Sequence, residues 1–326
     1  MAGNLTMDRL YPWLEHLWQE WQLGLDSERF SNSALLCADE GLGAEQLVER
    51  FSRAVMCRNY TSEACGFCHS CQLMLSHTHP DFHRIEPEKV GKAITVEQIR
   101  QCNRLAQESS QLSGVRLFVI EPAESMNESA ANALLKTLEE PAQTCMFLLV
   151  SHRPHQLLPT ITSRCQQWHV ASPSAEALTV WLNGQTGSSI PAYVAHIHNN
   201  APVKTQQFFD AGSMEKYHQI ESEMLAVAAQ KGNYAAFAKQ LAGEPTEYLK
   251  WLWYLMTDAQ KVHFGIEQSF STPRAKELAA KLSYDVLYQQ SERLSRLIEQ
   301  LTEHSGLNTE LLILDWLIKF DEETCL

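Results

Sequence analysis

The segment from Val115 to Cys165, VRLFVIEPAESMNESAANALLKTLEEPAQTCMFLLVSHRPHQLLPTITSRC, decides the fold. Leu117–Ile120 is an apolar run of strand length that meets an acid at Glu121. Behind it, Ala130, Ala133, Leu134, Thr137 and Leu138 recur at helical spacing as one packing stripe. Glu139-Glu140-Pro141 ends that helix, because proline has no N–H to donate and disfavours helix in the residue before it. A second apolar run, Met146–Val150, reads as a buried strand and closes in polar Ser151 and His152. A short helical segment leads to Ser163-Arg164-Cys165, and Gln166–Val170 is a third strand-like piece. Strand, helix, strand, helix, strand at this spacing implies parallel strands joined by right-handed crossovers.

Working towards the N-terminus, Ser33–Ala38 is strand-like and is followed by Asp39-Glu40-Gly41-Leu42-Gly43. A helix is expected from Ala44 to about Cys57, with Leu47, Val48, Phe51 and Ala54 on one face. Strand, glycine-rich loop and helix is the layout of a phosphate-binding loop. A working loop ends Gly-Lys-Ser/Thr, the lysine reaching the β/γ phosphates and the hydroxyl holding Mg²⁺. Aligned on Gly43, those positions hold Ala44 and Glu45, and the opening glycine position holds Ala38. Asp39, Glu40 and Glu45 also set carboxylates where a triphosphate would lie, and like charges repel. A hydrolytic strand ends Asp-Glu; this chain has Glu121-Pro122, and proline cannot act as a base. The loop Gly41, Gly43, Ala44, Glu45 is therefore degenerate, and no ATP is expected as cofactor. Ahead of it, Trp13, Leu14, Leu17, Trp18 and Trp21 predict a helix packed on the same domain.

Of nine cysteines, Cys57, Cys65, Cys68 and Cys71 fall as C-x7-C-x2-C-x2-C. Zinc takes four soft ligands in a tetrahedron, and a C-x2-C step brings two sulfurs to one metal from a tight turn. Gly66, His69 and Ser70 suit such turns, so the 57–71 segment is expected to hold structural Zn²⁺. His69, His77 and His79 are alternative ligands. Cys37, Cys102, Cys145, Cys165 and Cys325 stand singly and are read as packing residues.

Ser129-Ala-Ala-Asn-Ala-Leu-Leu-Lys-Thr-Leu-Glu-Glu-Pro141, with Ser163-Arg164-Cys165 downstream, resembles the clamp-loader branch of the AAA+ family. The likeness runs from about Tyr11 onward and thins in the last third. It implies an α/β, P-loop-like AAA+ domain over 1–170 carrying the zinc module, a small helical lid over 171–210, and an all-α collar over 211–326. It implies that Arg164, flanked by Ser163 and Cys165, acts in trans as an arginine finger in a neighbour's ATP site. Read without the resemblance, Arg164 equally caps the preceding helix or pairs with a local acid. Ser151 matches a γ-phosphate-sensing position, and His79-Pro80-Asp81 a structural turn before the next strand. The lid of active relatives carries Gly-Ser-x-Arg, but the matching segment here is Asn200-Ala201-Pro202-Val203, without the arginine. The implied partners are tau/gamma-type ATPase subunits and a clamp-opening delta subunit in a hetero-pentamer. The sliding clamp and primer–template DNA are reached through that complex.

Composition narrows the alternatives. The chain has 326 residues and a net charge of −13, with 26 basic residues against 39 acidic, which disfavours a dedicated DNA-binding surface. No apolar run approaches the ~20 residues a bilayer span requires. The start, MAGNLTMDRLYPWLEHLWQEW, carries acids and lacks a signal-peptide pattern, so a cytoplasmic protein is expected. Two other readings stay open on the residues alone. One is an ATP-binding loader subunit with an atypical loop; the other is a zinc-stapled adaptor outside clamp loading. The helical remainder supplies the core: Leu249, Leu252, Trp253, Met256 and Ala259 in one stripe, Leu282, Val286, Gln289, Arg293, Leu297 and Leu301 in a second. Asn308–Phe320 is apolar nearly all round and is expected to be buried in its domain or against another subunit.

Overall fold

A computed structural model describes residues 10–324 except 90, 113, 143, 188, 267, 304 and 305, so Cys325 and the first nine residues lie outside it. The chain divides into two compact units, Met1–Pro173 and Ser174–Leu326. In the first, the elements follow as α1 (Pro12–Asp26), β1 (Ser33–Cys37), α2 (Ala44–Met56), α3 (His69–Leu75), β2 (Phe82–Ile85) and α4 (Val96–Gln107). Then come β3 (Arg116–Ile120), α5 (Glu128–Glu139), β4 (Cys145–Ser151), α6 (Pro159–Thr162) and β5 (Gln166–His169). All strand pairs are parallel, in the order β2-β3-β4-β1-β5. This is the parallel α/β architecture that the Val115–Cys165 segment implies.

Every residue of β1, β3 and β4 is buried, as befits strands covered on both faces. Side chains alternate between two cores. Leu36, Leu117, Val119, Leu148 and Val150 meet Trp18 and Trp21 of α1 and Leu47 and Phe51 of α2. Leu35, Phe118, Ile120, Phe147 and Leu149 meet Ile99 of α4 and Leu134 of α5. Thr95 and Gln98 close a capping box at the start of α4, a signal present in the sequence as Thr-x-x-Gln. Asn103 donates to the Ala133 carbonyl at 2.8 Å and accepts from Thr137 Oγ1 at 2.9 Å. Those two bonds lock α4 against the helix that leads to Glu139.

The second unit is helical throughout: α7 (Ala175–Thr186), α8 (Ala192–His196), α9 (Pro202–Asp210), α10 (Met214–Ala228), α11 (Tyr234–Leu241), α12 (Pro245–His263), α13 (Ala275–Ala279), α14 (Tyr284–Glu303) and α15 (Thr309–Thr324). One continuous core runs from Leu178 to Phe320. Ser174 caps α7, its hydroxyl accepting from the Ala177 amide. Two expectations change here. The buried stripe of α14 is Leu287, Gln290, Ser291, Leu294 and Leu297, while Gln289 is exposed and Leu282 precedes the helix. On α15, Ile313, Trp316, Leu317 and Phe320 are buried, but Leu311 and Ile318 are 61% and 46% exposed, so one face is open. No helix among the described residues is long and apolar enough to cross a membrane.

Candidate functional site

The glycine loop joins β1 to α2 as expected. Gly41 and Gly43 sit at φ 89° and 74°, left-handed conformations that glycine adopts without Cβ strain, and Gly43 is the N-cap of α2. Between them Leu42 is buried. The loop is tied to the start of α1: Trp13 Nε1 donates to the Leu42 carbonyl at 2.7 Å, and the Tyr11 amide donates to Gln46 Oε1 at 3.1 Å. The Tyr11 and Trp13 rings stack at 4.8 Å. Burial and then the Glu45 carboxylate push the Tyr11 phenol up. The end of β3 is occupied in the same way. Glu121 pairs with the Arg84 guanidinium and lies 3.9 Å from His152 Nε2. Glu124 accepts from the His152 amide at 3.1 Å, and His152 Nδ1 lies 3.0 Å from the Ala38 carbonyl. Glu121, at the position of a metal-organising acid, therefore has the Arg84 guanidinium of its own chain, and nearby Glu124 has a backbone amide. Ser151 ends β4 as a buried residue whose hydroxyl accepts from the Arg153 amide at 3.2 Å.

Arg164 follows α6 on the same unit. Its Nε and Nη2 both donate to Glu139 Oε2 at 3.4 Å, and its Nη1 donates to the Thr160 carbonyl at 3.0 Å. The local pairing considered for this arginine is thus present, across a partly exposed pair in which Arg164 is 31% and Glu139 60% accessible. Ser163 caps α6 and its hydroxyl donates to the Thr160 carbonyl at 3.3 Å. Cys165 beside them is a packing thiol, pushed up to about 12 by burial and then by Cys37. Four of the cysteines that stand singly in sequence are neighbours in space, Cys37 with Cys165 and Cys102 with Cys145.

The structure brings Cys57, Cys65, Cys68 and Cys71 together, with all four sulfurs within 4.8 Å of one another and Cys65 Sγ 3.9 Å from Cys71 Sγ. A Zn–S bond of about 2.3 Å requires sulfurs about 3.8 Å apart in a tetrahedron, so the group can hold a metal ion of this kind. Backbone amides complete the fit, Cys65 N donating to Cys57 Sγ, Cys68 N to Cys65 Sγ and Cys71 N to Cys68 Sγ, each at 3.4 Å. Such donors stabilise thiolate charge. His69 and Ser70 are not in a turn, as the sequence suggests, but begin α3, which Cys68 caps.

His79 is withdrawn from metal binding by its own bonds. Its Nε2 lies 2.7 Å from Ser70 Oγ, and its Nδ1 accepts from the Asp81 amide at 3.1 Å. Ser70, His79 and Asp81 line a cavity of about 210 Å³ and look like a nucleophile, base and acid. The hydrogen bonds exclude that chemistry. With Nδ1 accepting, the ring proton sits on Nε2 and is donated to Ser70, whose hydroxyl donates to the Met56 carbonyl. The base cannot take the proton it would need. Asp81 instead forms the buried frame of this region, accepting from the Gln111 and Leu112 amides at 2.8 and 3.0 Å and from Arg116 Nη2 at 3.2 Å. Burial pushes its carboxyl up, but those amides and the guanidinium outweigh it and hold the group below the usual carboxylate range. Arg116, which the apolar run beginning at Leu117 conceals, is 2% exposed.

Comparison with known proteins gives the family. The family model described as DNA polymerase III, delta subunit matches residues 13–174. The model described as DNA polymerase III, delta subunit, C terminal matches residues 211–322. The Escherichia coli K12 protein called DNA polymerase III subunit delta' is 31% identical over 320 residues, covering 96% of each chain. The chain belongs to the DNA polymerase III subunit delta' family. Its Yersinia pestis relative of the same name is 33% identical over 328 residues and 95% of each chain. Among solved structures, a DNA polymerase III gamma subunit-related protein from Thermotoga maritima is similar with a TM-score of 0.40 at 17% identity, over 94% of this chain and 99% of that one. Membership spans both units, so the degenerate glycine loop, the cysteine module and Arg164 lie in a chain matched nearly end to end.

Proposed function

We propose that this chain is the non-hydrolysing delta' subunit of a DNA polymerase III clamp loader, a scaffold that completes a neighbouring subunit's ATP site with Arg164. One observation carries the reading: Ala44 and Glu45 replace the phosphate-gripping residues and α1 ties down the loop, while a partly exposed Arg164 persists beside α6. An arginine offers a permanently charged planar fork to phosphate oxygens. Its present partner, a largely exposed carboxylate, engages only part of the fork, so N–H groups remain for a γ-phosphate.

In this reading residues 171–210 form the lid and 211–326 the collar. The collar joins tau/gamma-type ATPase subunits and the clamp-opening delta subunit in a cytoplasmic hetero-pentamer. That complex acts within the DNA polymerase III holoenzyme, which is a nucleotidyltransferase, and reaches the sliding clamp and primer–template DNA. Cys57, Cys65, Cys68 and Cys71 hold Zn²⁺ as a structural clasp, since four thiolates leave no position for substrate. The test is reconstitution with the other loader subunits. Arg164→Ala should leave assembly intact and slow ATP turnover by the contribution of one site, and unchanged turnover removes the finger.

A further inference from the structure

We infer that Glu139 is a positioning residue for the Arg164 finger, an inference that rests on the finger reading above. A guanidinium has five N–H donors in a rigid plane. Here Nε and Nη2 converge on Glu139 Oε2 at 3.4 Å, and Nη1 is held by the Thr160 carbonyl at 3.0 Å. Three donors are therefore committed to the chain itself. One hydrogen on each terminal nitrogen is left without a partner among the described residues. Those two N–H groups are what the fork has left to offer phosphate oxygens.

The holders are set on rigid elements. Glu139 is the last residue of α5, the helix locked to α4 through Asn103, and Thr160 lies within α6. The arrangement fixes the plane and direction of a long side chain that would otherwise lose its rotamer freedom only on reaching the neighbour's nucleotide. Glu139 never touches the phosphate in this scheme; it acts through Arg164.

The experiment uses the loader reconstituted from full-length subunits, with assembly checked by gel filtration. Glu139→Ala should lower kcat for ATP about 2- to 5-fold, the rate equivalent of losing one exposed ion pair, with KM for ATP unchanged. Glu139→Gln, which keeps a carbonyl acceptor for the same N–H groups, should recover part of the rate. Adding Glu139→Ala to Arg164→Ala should cause no further slowing, because the residue to be positioned is already gone. If Arg164→Ala slows turnover but Glu139→Ala leaves it unchanged or raises it, the positioning role is overturned and the finger stands. A change in KM alone, or additive slowing in the double variant, overturns it as well. Unaltered turnover in Arg164→Ala removes the finger and this inference together.

Discussion

Replacing Asp81 by Asn tests how the cysteine module is joined to the sheet. Asp81 and Arg116 are 1% and 2% exposed, and the carboxylate gathers two amides and a guanidinium from a segment some thirty residues away. Asparagine keeps the size but removes the charge, and its Nδ2 must turn towards an amide N–H that needs an acceptor. One of the Gln111 and Leu112 amides is then orphaned, at a cost of about 1–3 kcal/mol. Arg116 keeps the Ser109 carbonyl at 2.7 Å and the Leu105 carbonyl, but its nearest remaining carboxylate is Glu108, 3.8 Å away and 64% exposed. Breaking a buried ion pair from one side typically costs about 3–5 kcal/mol, and both contributions place Asp81→Asn in that range. With a urea m-value of about 2–3 kcal/mol/M, the transition of the 1–173 unit should move about 1–2 M lower. Hydrogen exchange at residues 109–117, read against urea, follows that unit within the full chain. The Asp81 carboxyl is held below its ordinary value, so its stabilisation is complete above the unfolded carboxylate range near ~4 and is lost as pH falls through the lower folded value. The gap between the parent and Asp81→Asn should thus be full at neutral pH and close below about pH 4. A midpoint shift near zero at pH 7, or a gap that widens in acid, refutes the assignment.

Two more perturbations address the metal group and the helical unit. Purified chain should contain one zinc, and Cys68→Ser should lower both metal content, measured by atomic emission, and thermal stability; a folded, fully active metal-free preparation contradicts this. Asp258 is buried and receives His196 Nε2 at 3.1 Å, Lys261 Nζ at 3.0 Å and the Thr272 amide at 2.8 Å. Asp258→Ala should therefore destabilise the 174–326 unit by roughly 3 kcal/mol or more, seen as a lower thermal midpoint. A midpoint equal to the parent's shows that this network carries no stability.

Much of the site was legible in the chain because its signals are local. The strands announce themselves by short apolar runs, and Ala44 and Glu45 disclose the missing phosphate grip by position after Gly43. The spacing of Cys57, Cys65, Cys68 and Cys71 is itself a coordination pattern. Helical stripes were read less well. On α14 several leucines flank each other, so periodicity permits neighbouring registers, and packing selects Leu287, Leu294 and Leu297. On α15 the sequence shows apolar residues all round, but the other helices of its unit cover only one face.

By itself, then, the order of residues determined the parallel α/β domain, the loss of the phosphate-gripping residues after Gly43 and the four-cysteine group. Each follows from covalent spacing within a few turns of chain, while the family showed as a resemblance of motif residues. Tertiary structure alone decided that Trp13 closes on Leu42, that Asp81 is bound by Arg116, that His79 is tautomerically barred from base chemistry, and that Glu139 holds Arg164. All but the His79–Asp81 contact join residues far apart in the chain. A hydrogen bond or ion pair between such residues exists only once packing has set their separation and excluded water, which no local pattern encodes.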